Sequence, residues 1–274
     1  MKLTKYFGYI DFMECLLLSM IIKLKQYHFL FEELIKRDFK AKYKRTILGM
    51  VWSILSPLLM LTVLAIIFGN FFGRSIDNYV IYLFSGQVIF NYFTEATNEG
   101  MLALVSNSSI FTKINVPKYL FLFSKNVSAL INFGIILLIY FCFVAFEGIA
   151  FTWKFLFLTY PIICLILFNL GMGLILSALY IFFKDIQYLY RLFTQVVMYG
   201  SAIFYSIDIL PQHLQTLFYC NPIFVCITYF RSIVLHNTVP DLWLHLLLAG
   251  YAIVLFGIGC WVYKKYNYKF LYYV

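Results

Sequence analysis

Long apolar runs, separated by shorter polar connections, make up most of this 274-residue chain. Six of the runs are long enough to cross a hydrocarbon core of roughly 30 Å as α-helices, which need about 20 residues. They are Val51–Phe72, Tyr79–Val105, Tyr119–Phe146, Phe155–Phe183, Leu189–Ile207 and Trp243–Tyr263. The pattern predicts an all-α integral membrane protein with six transmembrane helices within residues 47–265.

A different pattern precedes the first run. Residues 29–46 combine a charged face with apolar side chains that recur every four positions, namely Phe31, Ile35, Phe39 and Tyr43. This spacing predicts an amphipathic helix that lies on the inner membrane surface. Residues 1–28 form a separate N-terminal arm. Its apolar run lacks a small-residue cleavage site, so we do not expect a cleaved signal peptide.

The connection between the fifth and sixth runs is too apolar for a free loop, yet prolines interrupt it. Pro211 and the pair Asn221-Pro222 predict two short helices, Pro211 to Tyr219 and Ile223 to Leu235. Neither helix is long enough to span a bilayer. We therefore expect a re-entrant helical hairpin at the outer face. In the fourth run, Gly171 and Gly173 predict a bend or a close helix contact.

Composition and charge support the membrane assignment and orient the chain. Hydrophobic residues make up 63% of the sequence and the mean hydropathy is +0.86, which a soluble domain could not bury. The formal net charge of +9 would suit nucleic acid or an anionic surface. With the N-terminus inside, however, all lysines and arginines except Arg74, Lys154 and Arg231 fall on the cytoplasmic side. Both termini, including the tail 266–274, are therefore predicted to be cytoplasmic, and nucleic acid is not an expected partner.

Common catalytic and metal-binding patterns are missing from the sequence. It contains no phosphate-binding loop, dinucleotide-binding turn, zinc-protease helix or nucleophile elbow, and its four histidines are scattered. The six cysteines have no C-x-x-C spacing, so we expect neither a metal site nor a cofactor. Cys220 and Cys226 could form a disulfide on the outer side or remain unpaired thiols.

Glu95 and Glu99 are the candidate charges within the membrane. They lie four residues apart on one face of the second run, near its inner end. An ion-coupled carrier could use such a pair, at a cost of about 2.5–3.5 kcal/mol for each charge at mid-bilayer. Alternatively, they lie at the inner interface or line a wet cavity. No basic partner within the membrane is evident from the sequence.

Several motifs resemble the membrane subunits of type-2 ABC exporters for O-antigen, capsule and teichoic acid. The first covers the amphipathic helix and its turn into the first span, with Arg37, Asp38, Phe39, Tyr43, Gly49 and Trp52. The second is Phe182-Phe183-Lys184-Asp185-Ile186, and the third combines Ile209-Leu210-Pro211 with Asn221-Pro222 at the outer gate hairpin. The resemblance covers residues 30 to 265. Members often have a Pro-Trp pair after Ser85-Gly86, where this chain has Gln87-Val88.

The resemblance implies a membrane subunit without its own ATPase, located in a bacterial inner membrane. Two copies would form a conduit for a lipid-linked glycan, and two separate nucleotide-binding subunits would bind MgATP. The candidate conduit residues are Trp52, Glu95, Glu99, Tyr199, Phe204 and Tyr205. The four aromatic residues are candidates because flat rings stack on sugars. A drug or small-lipid exporter, an ion-coupled carrier using Glu95 and Glu99, and a membrane glycosyltransferase are the alternatives.

The segment from Ser109 to Lys118 is the candidate coupling segment. We expect a short helix that stops before Pro117 and presents Phe111 and Ile114 as an exposed knob, because Lys113 and Lys118 keep the segment out of lipid. The resemblance implies that this knob seats in the ATPase subunit, and that Lys184 and Asp185 mark a second, smaller contact. A loop lying on the membrane surface is the alternative.

Overall fold

A computed structural model of the chain describes residues 26–43, 49, 51–73 and 76–273. Within these ranges the secondary structure is helical, without strands. The predicted N-terminal arm, except residues 26–28, lies outside the described residues. The helices are α1 (His28–Tyr43), α2 (Val51–Phe72), α3 (Tyr79–Ser106), α4 (Ser108–Phe111), α5 (Tyr119–Phe146), α6 (Thr159–Phe182), α7 (Ile186–Tyr199), α8 (Gln212–Phe218), α9 (Pro222–Val234) and α10 (Leu242–Tyr266). Three short 3₁₀ helices cover Trp153–Leu158, Ile207–Ile209 and Lys269–Leu271.

Four of these segments are long and apolar enough to cross a membrane, among the residues described. They are α2, α5, α10, and α6 together with the 3₁₀ helix before it, which form one stretch from Trp153 to Phe182. A fifth candidate is the pair α8 and α9, although the two helices are bent by 101° at the break between them. The chain is therefore a multi-pass helical membrane protein.

Helix α3 is the most enclosed long helix. It has 28 residues, more than half of them buried, and packs against α2, α5, α6 and α9. Most of its polar side chains therefore contact protein, whereas Asn98 is exposed. This explains why α3 is less apolar than the four spanning candidates although it has at least as many residues as three of them.

Helix α6 packs closely against α3 and α10, and glycines make both contacts possible. A methyl group added at Gly171 would lie 2.5 Å from the backbone nitrogen of Phe256 in α10. On the other face, a methyl group at Gly100 would lie 3.2 Å from the Cα of Gly173. The close helix contact predicted from Gly171 and Gly173 is confirmed, because small residues let helix backbones approach closely.

The predicted fifth span, Leu189–Ile207, is wrong in its extent. Helix α7 ends at Tyr199, and its 14 residues give a length of only about 21 Å. The chain then turns through residues 200–206 before a 3₁₀ helix at Ile207–Ile209. The carbonyls that this break frees are bonded by distant side chains. The Asn221 amide donates to the Gly200 oxygen at 3.0 Å, and the Arg231 guanidinium donates to the Ala202 oxygen at 2.9 Å.

The two predicted helices between the fifth and sixth runs are present as α8 and α9. Pro211 is the N-cap of α8, and Asn221 caps α9 by accepting a hydrogen bond from the Ile223 amide at 3.0 Å. Pro222 occupies the first turn of α9, where its missing N–H costs nothing. Helix α9 is almost entirely buried, whereas α8 is mostly exposed. Cys220 is an exposed free thiol and Cys226 a buried one.

The bundle has two ends, which we name by what they carry. Helix α1 packs across the first end, mainly against α5, and buries Leu34 there while Phe29 stays 73% exposed. This α1 end also carries residues 107–118 and the turn at residues 183–185. The opposite hairpin end carries α8, α9 and the connection before α6, where Thr152 donates a hydrogen bond to Asn237 at 2.8 Å.

We predict that Gly171→Ala destabilises the bundle by about 1–3 kcal/mol, because the added methyl group must push the α10 backbone away. The measurement is the thermal unfolding of the detergent-solubilised chain. Gly250→Ala is the matched control in α10, because no heavy atom lies within 4 Å of its added methyl group. Equal unfolding temperatures for the two variants would contradict the close packing of α6 on α10.

Candidate functional site

A cavity of about 560 Å³ opens between α2, α3 and α5. Nine of the thirteen described residues that line it are polar, and only Lys42 and Glu95 among these are charged. The lining residues are Lys42, Trp52, Ser53, Ser56, Pro57, Met60, Gln87, Asn91, Thr94, Glu95, Asn98, Asn132 and Ile136. We call this space the polar cavity.

Helix α3 supplies most of the hydrogen-bonding groups of the polar cavity. Gln87, Asn91, Glu95 and Asn98 follow one another at intervals of three or four residues, and Thr94 adjoins Glu95, so one side of the helix presents them all. Our sequence analysis recognised only Glu95 among them. The signal was nevertheless present as a helical period of polar residues within an apolar run.

Gln87 has an unused hydrogen-bonding atom in this wall. Its amide nitrogen donates to the Pro57 carbonyl at 3.3 Å, while its Oε1 is buried without a hydrogen-bond partner in the described structure. Buried polar atoms without hydrogen-bond partners are rare in proteins. A hydroxyl group of a cavity occupant would supply the donor that the Gln87 Oε1 atom lacks.

Glu95 lies at the α1 end of the polar cavity and is paired. Lys42 of α1 donates to one of its carboxylate oxygens, and Asn132 of α5 donates to the other at 2.8 Å. The basic partner of Glu95 therefore comes from the predicted interface helix and not from a membrane span. Lys42 is 53 residues away in sequence and reaches Glu95 because α1 folds back over the end of the bundle.

Glu99 belongs to a neighbouring ion cluster around a smaller cavity of about 180 Å³. Lys125 of α5 is 2.9 Å from Glu99 and 3.6 Å from Asp38 of α1. The Asp38 side chain is only 6% exposed, and Arg37 holds the same oxygen of it at 2.7 Å. Arg37 also donates to the Asn107 side chain at 2.7 Å. Arg37 and Asp38 therefore tie α1 to the bundle through polar contacts.

The turn from α1 into α2 is partly described. Gly49 has a φ of +50°, a left-handed conformation that favours glycine. Trp52 follows in the first turn of α2, lines the polar cavity and is 44% exposed. Phe39 is half-buried, and the side chain of Tyr43 lies outside the described residues.

The other candidate conduit aromatics do not line the polar cavity. Tyr199, Phe204 and Tyr205 lie at the hairpin end, around the break after α7. Phe204 is buried and stacks on Phe68 with ring centroids 5.1 Å apart, and Tyr205 donates to the Tyr199 carbonyl at 2.8 Å. Of the six candidate residues, only Trp52 and Glu95 line the polar cavity, and Glu95 also lines the smaller cavity together with Glu99.

Arg231 is a buried residue whose role the sequence analysis missed. It is 6% exposed, and its guanidinium donates to the backbone oxygens of Tyr82, Ala202 and Ile203 at 2.9–3.1 Å. The guanidinium carbon also lies 3.4 Å from the centroid of the Tyr82 ring. A methyl group at Gly86 would lie 3.0 Å from this guanidinium. Arg231 therefore joins α9 to α3.

The candidate coupling segment differs from its predicted shape. Its helix, α4, ends at Phe111, and the Phe111 side chain is 4% exposed and packs on Phe121 at 5.9 Å. Phe111 is thus part of the apolar packing and not an exposed knob. Ile114 is 56% exposed, and Lys113 is also exposed, whereas Pro117 is half-buried. Lys184 and Asp185 are exposed at the same end of the bundle.

Comparison with known families decides the assignment. A model of the ABC-2 type transporter family matches residues 30–235 of this chain. The chain belongs to the ABC-2 type transporter family. The matched range contains α1 to α9, and with them the polar cavity and the buried Arg231.

Curated members of the family are similar over nearly the whole chain. An O-antigen export system permease protein RfbA of Klebsiella pneumoniae is 24% identical over 261 residues, 92% of this chain and 98% of the relative. An RfbA of Myxococcus xanthus is 23% identical, covering 87% of this chain and 93% of the relative. The polysialic acid transport protein KpsM of Escherichia coli is 24% identical, covering 85% and 92%. The resemblance inferred from the motifs is confirmed.

We predict that Lys125→Met loosens α1 from the bundle of this ABC-2 family member, because Asp38 and Glu99 both lose their nearest α5 cation. If the free energy that holds α1 on the bundle falls by about 1.4 kcal/mol, the population in which α1 is detached and its buried residues are exposed rises tenfold. The measurement is the labelling rate of Leu34→Cys in a chain whose native cysteines are replaced, since Leu34 is 3% exposed.

Lys36→Met is the matched control for this measurement. The ammonium of Lys36 contacts only Glu32 and Glu33 of α1 itself, among the ion pairs described, and all three side chains are more than half exposed. Exposed pairs of this kind contribute little stability. Equal labelling rates for the Lys36 and Lys125 variants would show that the ion cluster does not hold α1.

Proposed function

We propose that the chain is the membrane subunit of an ATP-driven exporter that moves a lipid-linked cell-surface polysaccharide across a bacterial inner membrane. The observation that carries the proposal is the polar cavity, with its amide and hydroxyl wall and the exposed indole of Trp52. Sugar hydroxyls both donate and accept hydrogen bonds, and neutral amides can serve them without fixing one orientation. The export functions named for the curated relatives support the same substrate class.

The pairing of the two acids argues against the ion-coupled alternative. A carrier that uses Glu95 and Glu99 needs carboxylates that can bind and release an ion at one site. Here each carboxylate has its own lysine partner, Lys42 or Lys125, and Asn132 bonds Glu95 as well. We therefore assign these two acids to the attachment of α1 and to the rim of the cavity.

A second copy of the chain would complete the conduit. Helix α2 has only one buried residue, Leu61, and forms one wall of the polar cavity. Helix α7 also exposes apolar side chains, among them Leu189, Leu192, Phe193 and Val196. Apolar helix faces beside a polar cavity suit a homodimer in which two cavities meet, because point-group symmetry pairs the same surfaces.

The charge distribution supports an orientation in which the α1 end faces the cytoplasm and the hairpin end faces outward. In this orientation, α1 lies at the inner membrane surface and α8 and α9 form a re-entrant hairpin at the outer face. Six membrane crossings then require two more spans. Helix α3 would cross the membrane enclosed by protein, and α7 would cross it together with the residues that follow it. Both termini remain cytoplasmic.

Two ATPase subunits would dock at the α1 end, bind MgATP and contact the coupling segment. The exposed residues Lys113, Ile114, Lys184 and Asp185 are the proposed contacts, and Phe111 supports them from beneath. Pro117 ends the segment before α5 begins.

We predict that the double substitution Asn91→Leu and Asn98→Leu blocks export while the protein accumulates normally, because two amides of the cavity wall become apolar. The measurement is the amount of polysaccharide at the cell surface relative to the amount of the chain in the membrane. We expect at least a tenfold loss of export.

Asn70→Leu is the control for the cavity variants. Asn70 lies in α2, is exposed and donates only to the Ile66 carbonyl of its own helix, at 3.2 Å. This variant should export normally. Normal export by the Asn91/Asn98 variant would remove the polar cavity from the substrate path.

We also predict that Ile114→Ser and Phe111→Ser have different effects. Ile114→Ser should weaken co-purification of the ATPase subunit and lower export without changing the unfolding temperature, because Ile114 is exposed. Phe111→Ser should lower the stability by about 3–5 kcal/mol, because a buried ring is lost. Wild-type ATPase binding and export by the Ile114 variant would show that coupling occurs elsewhere.

A further inference from the structure

A second cavity, of about 630 Å³, lies at the α1 end and shares no lining residue with the polar cavity. Its walls come from residues 26 and 27 just before α1, the segment before α5, and the end of α10 with the tail that follows. The wall from α10 lies beyond residue 235, where the family match ends. We call this space the lysine cavity, after Lys118 and Lys264 in its wall.

Lys118 is a buried cation in this wall. It is 8% exposed, and no carboxylate of the described residues lies within ion-pair distance of its ammonium. The ammonium donates to the Asn267 carbonyl and lies 5.9 Å and 5.6 Å from the ring centroids of Phe111 and Phe270. Burial lowers the pKa of Lys118. An anion in the cavity would offset the cost of burying this charge.

The rest of the wall fits an anion that carries an apolar part. None of the described residues that line the cavity is acidic, and Lys264 adds a second cation. The Tyr119 hydroxyl is buried without a hydrogen-bond partner in the described structure, although Tyr119 lines the cavity. It is therefore available to donate to an oxygen of a ligand. Cys260 and Leu271 provide apolar surface beside these polar groups.

We propose that the lysine cavity binds the phosphate of an anionic phospholipid from the leaflet at the α1 end. Cys260 and Tyr263 belong to the spanning helix α10, so the cavity wall continues into the membrane. Basic pockets between membrane helices at the cytoplasmic side suit such headgroups. The phosphate contacts Lys118, Lys264 and Tyr119, and the glycerol part packs near Cys260 and Leu271. The bound lipid joins the C-terminal end of the chain to the segment that supports Ile114.

The test uses the purified, delipidated full-length chain and counts bound lipids by native mass spectrometry. Phosphatidylglycerol and phosphatidylcholine of identical acyl chains are titrated separately. We expect phosphatidylglycerol to bind at least fivefold more tightly. Lys264→Gln and Tyr119→Phe should each remove most of this preference. Both variants avoid the buried Lys118, whose replacement could prevent folding.

Lys265→Gln is the matched control, because it makes the same charge change at the next residue. Lys265 does not line the cavity, and its ammonium lies over the rings of Trp261 and Tyr266. This variant should keep the full preference for phosphatidylglycerol. Equal binding of the two lipids, or equal losses for Lys264→Gln and Lys265→Gln, would overturn the proposal. Displacement of the bound lipid by millimolar inorganic phosphate or ATP would instead assign the cavity to a soluble phosphate compound.

Discussion

The structure depends on one constraint: lipid offers no hydrogen-bond partner, so burying a polar group is costly unless the protein itself supplies one. Arg231 illustrates the constraint at the hairpin end. The chain leaves helical geometry after Tyr199, and the guanidinium of Arg231 bonds two of the carbonyls that this break exposes. Asn221 bonds a third and also caps α9. The break in α7, the position of α9 and the burial of a cation therefore stabilise one another.

The same constraint organises the α1 end. Helix α3 carries two acids and a row of amides, and its central position between α2, α5 and α6 keeps them away from lipid. The acids are bonded by lysines from α1 and α5, whereas the Gln87 oxygen remains without a partner beside the polar cavity. In the proposed exporter, the paired charges attach α1 to the bundle, and the neutral groups without partners contact the substrate.

The two larger cavities differ in chemistry, which favours different occupants. The polar cavity is lined mainly by amides and hydroxyls, and its charged residues Lys42 and Glu95 bond to each other. Among the described residues, the wall of the lysine cavity has two cations, several aromatic rings and no acid. A neutral, hydroxyl-rich polymer suits the first cavity, and an anionic headgroup suits the second. Substrate passage and lipid binding would therefore use separate surfaces of one subunit.

The sequence by itself determined the helical membrane class, the amphipathic helix α1, the paired helices α8 and α9, and the family. These features depend on local periodicity, prolines and short motifs, which act within a few turns of helix. Only the tertiary structure decided the partners of Glu95 and Glu99, the burial of Phe111, the end of α7 at Tyr199 and the position of Arg231. Each of these depends on residues that are distant in sequence and become neighbours through folding. The polar face of α3 combines both kinds of information. The helical spacing of its polar residues is visible in the sequence, but the cavity that they line requires α2 and α5.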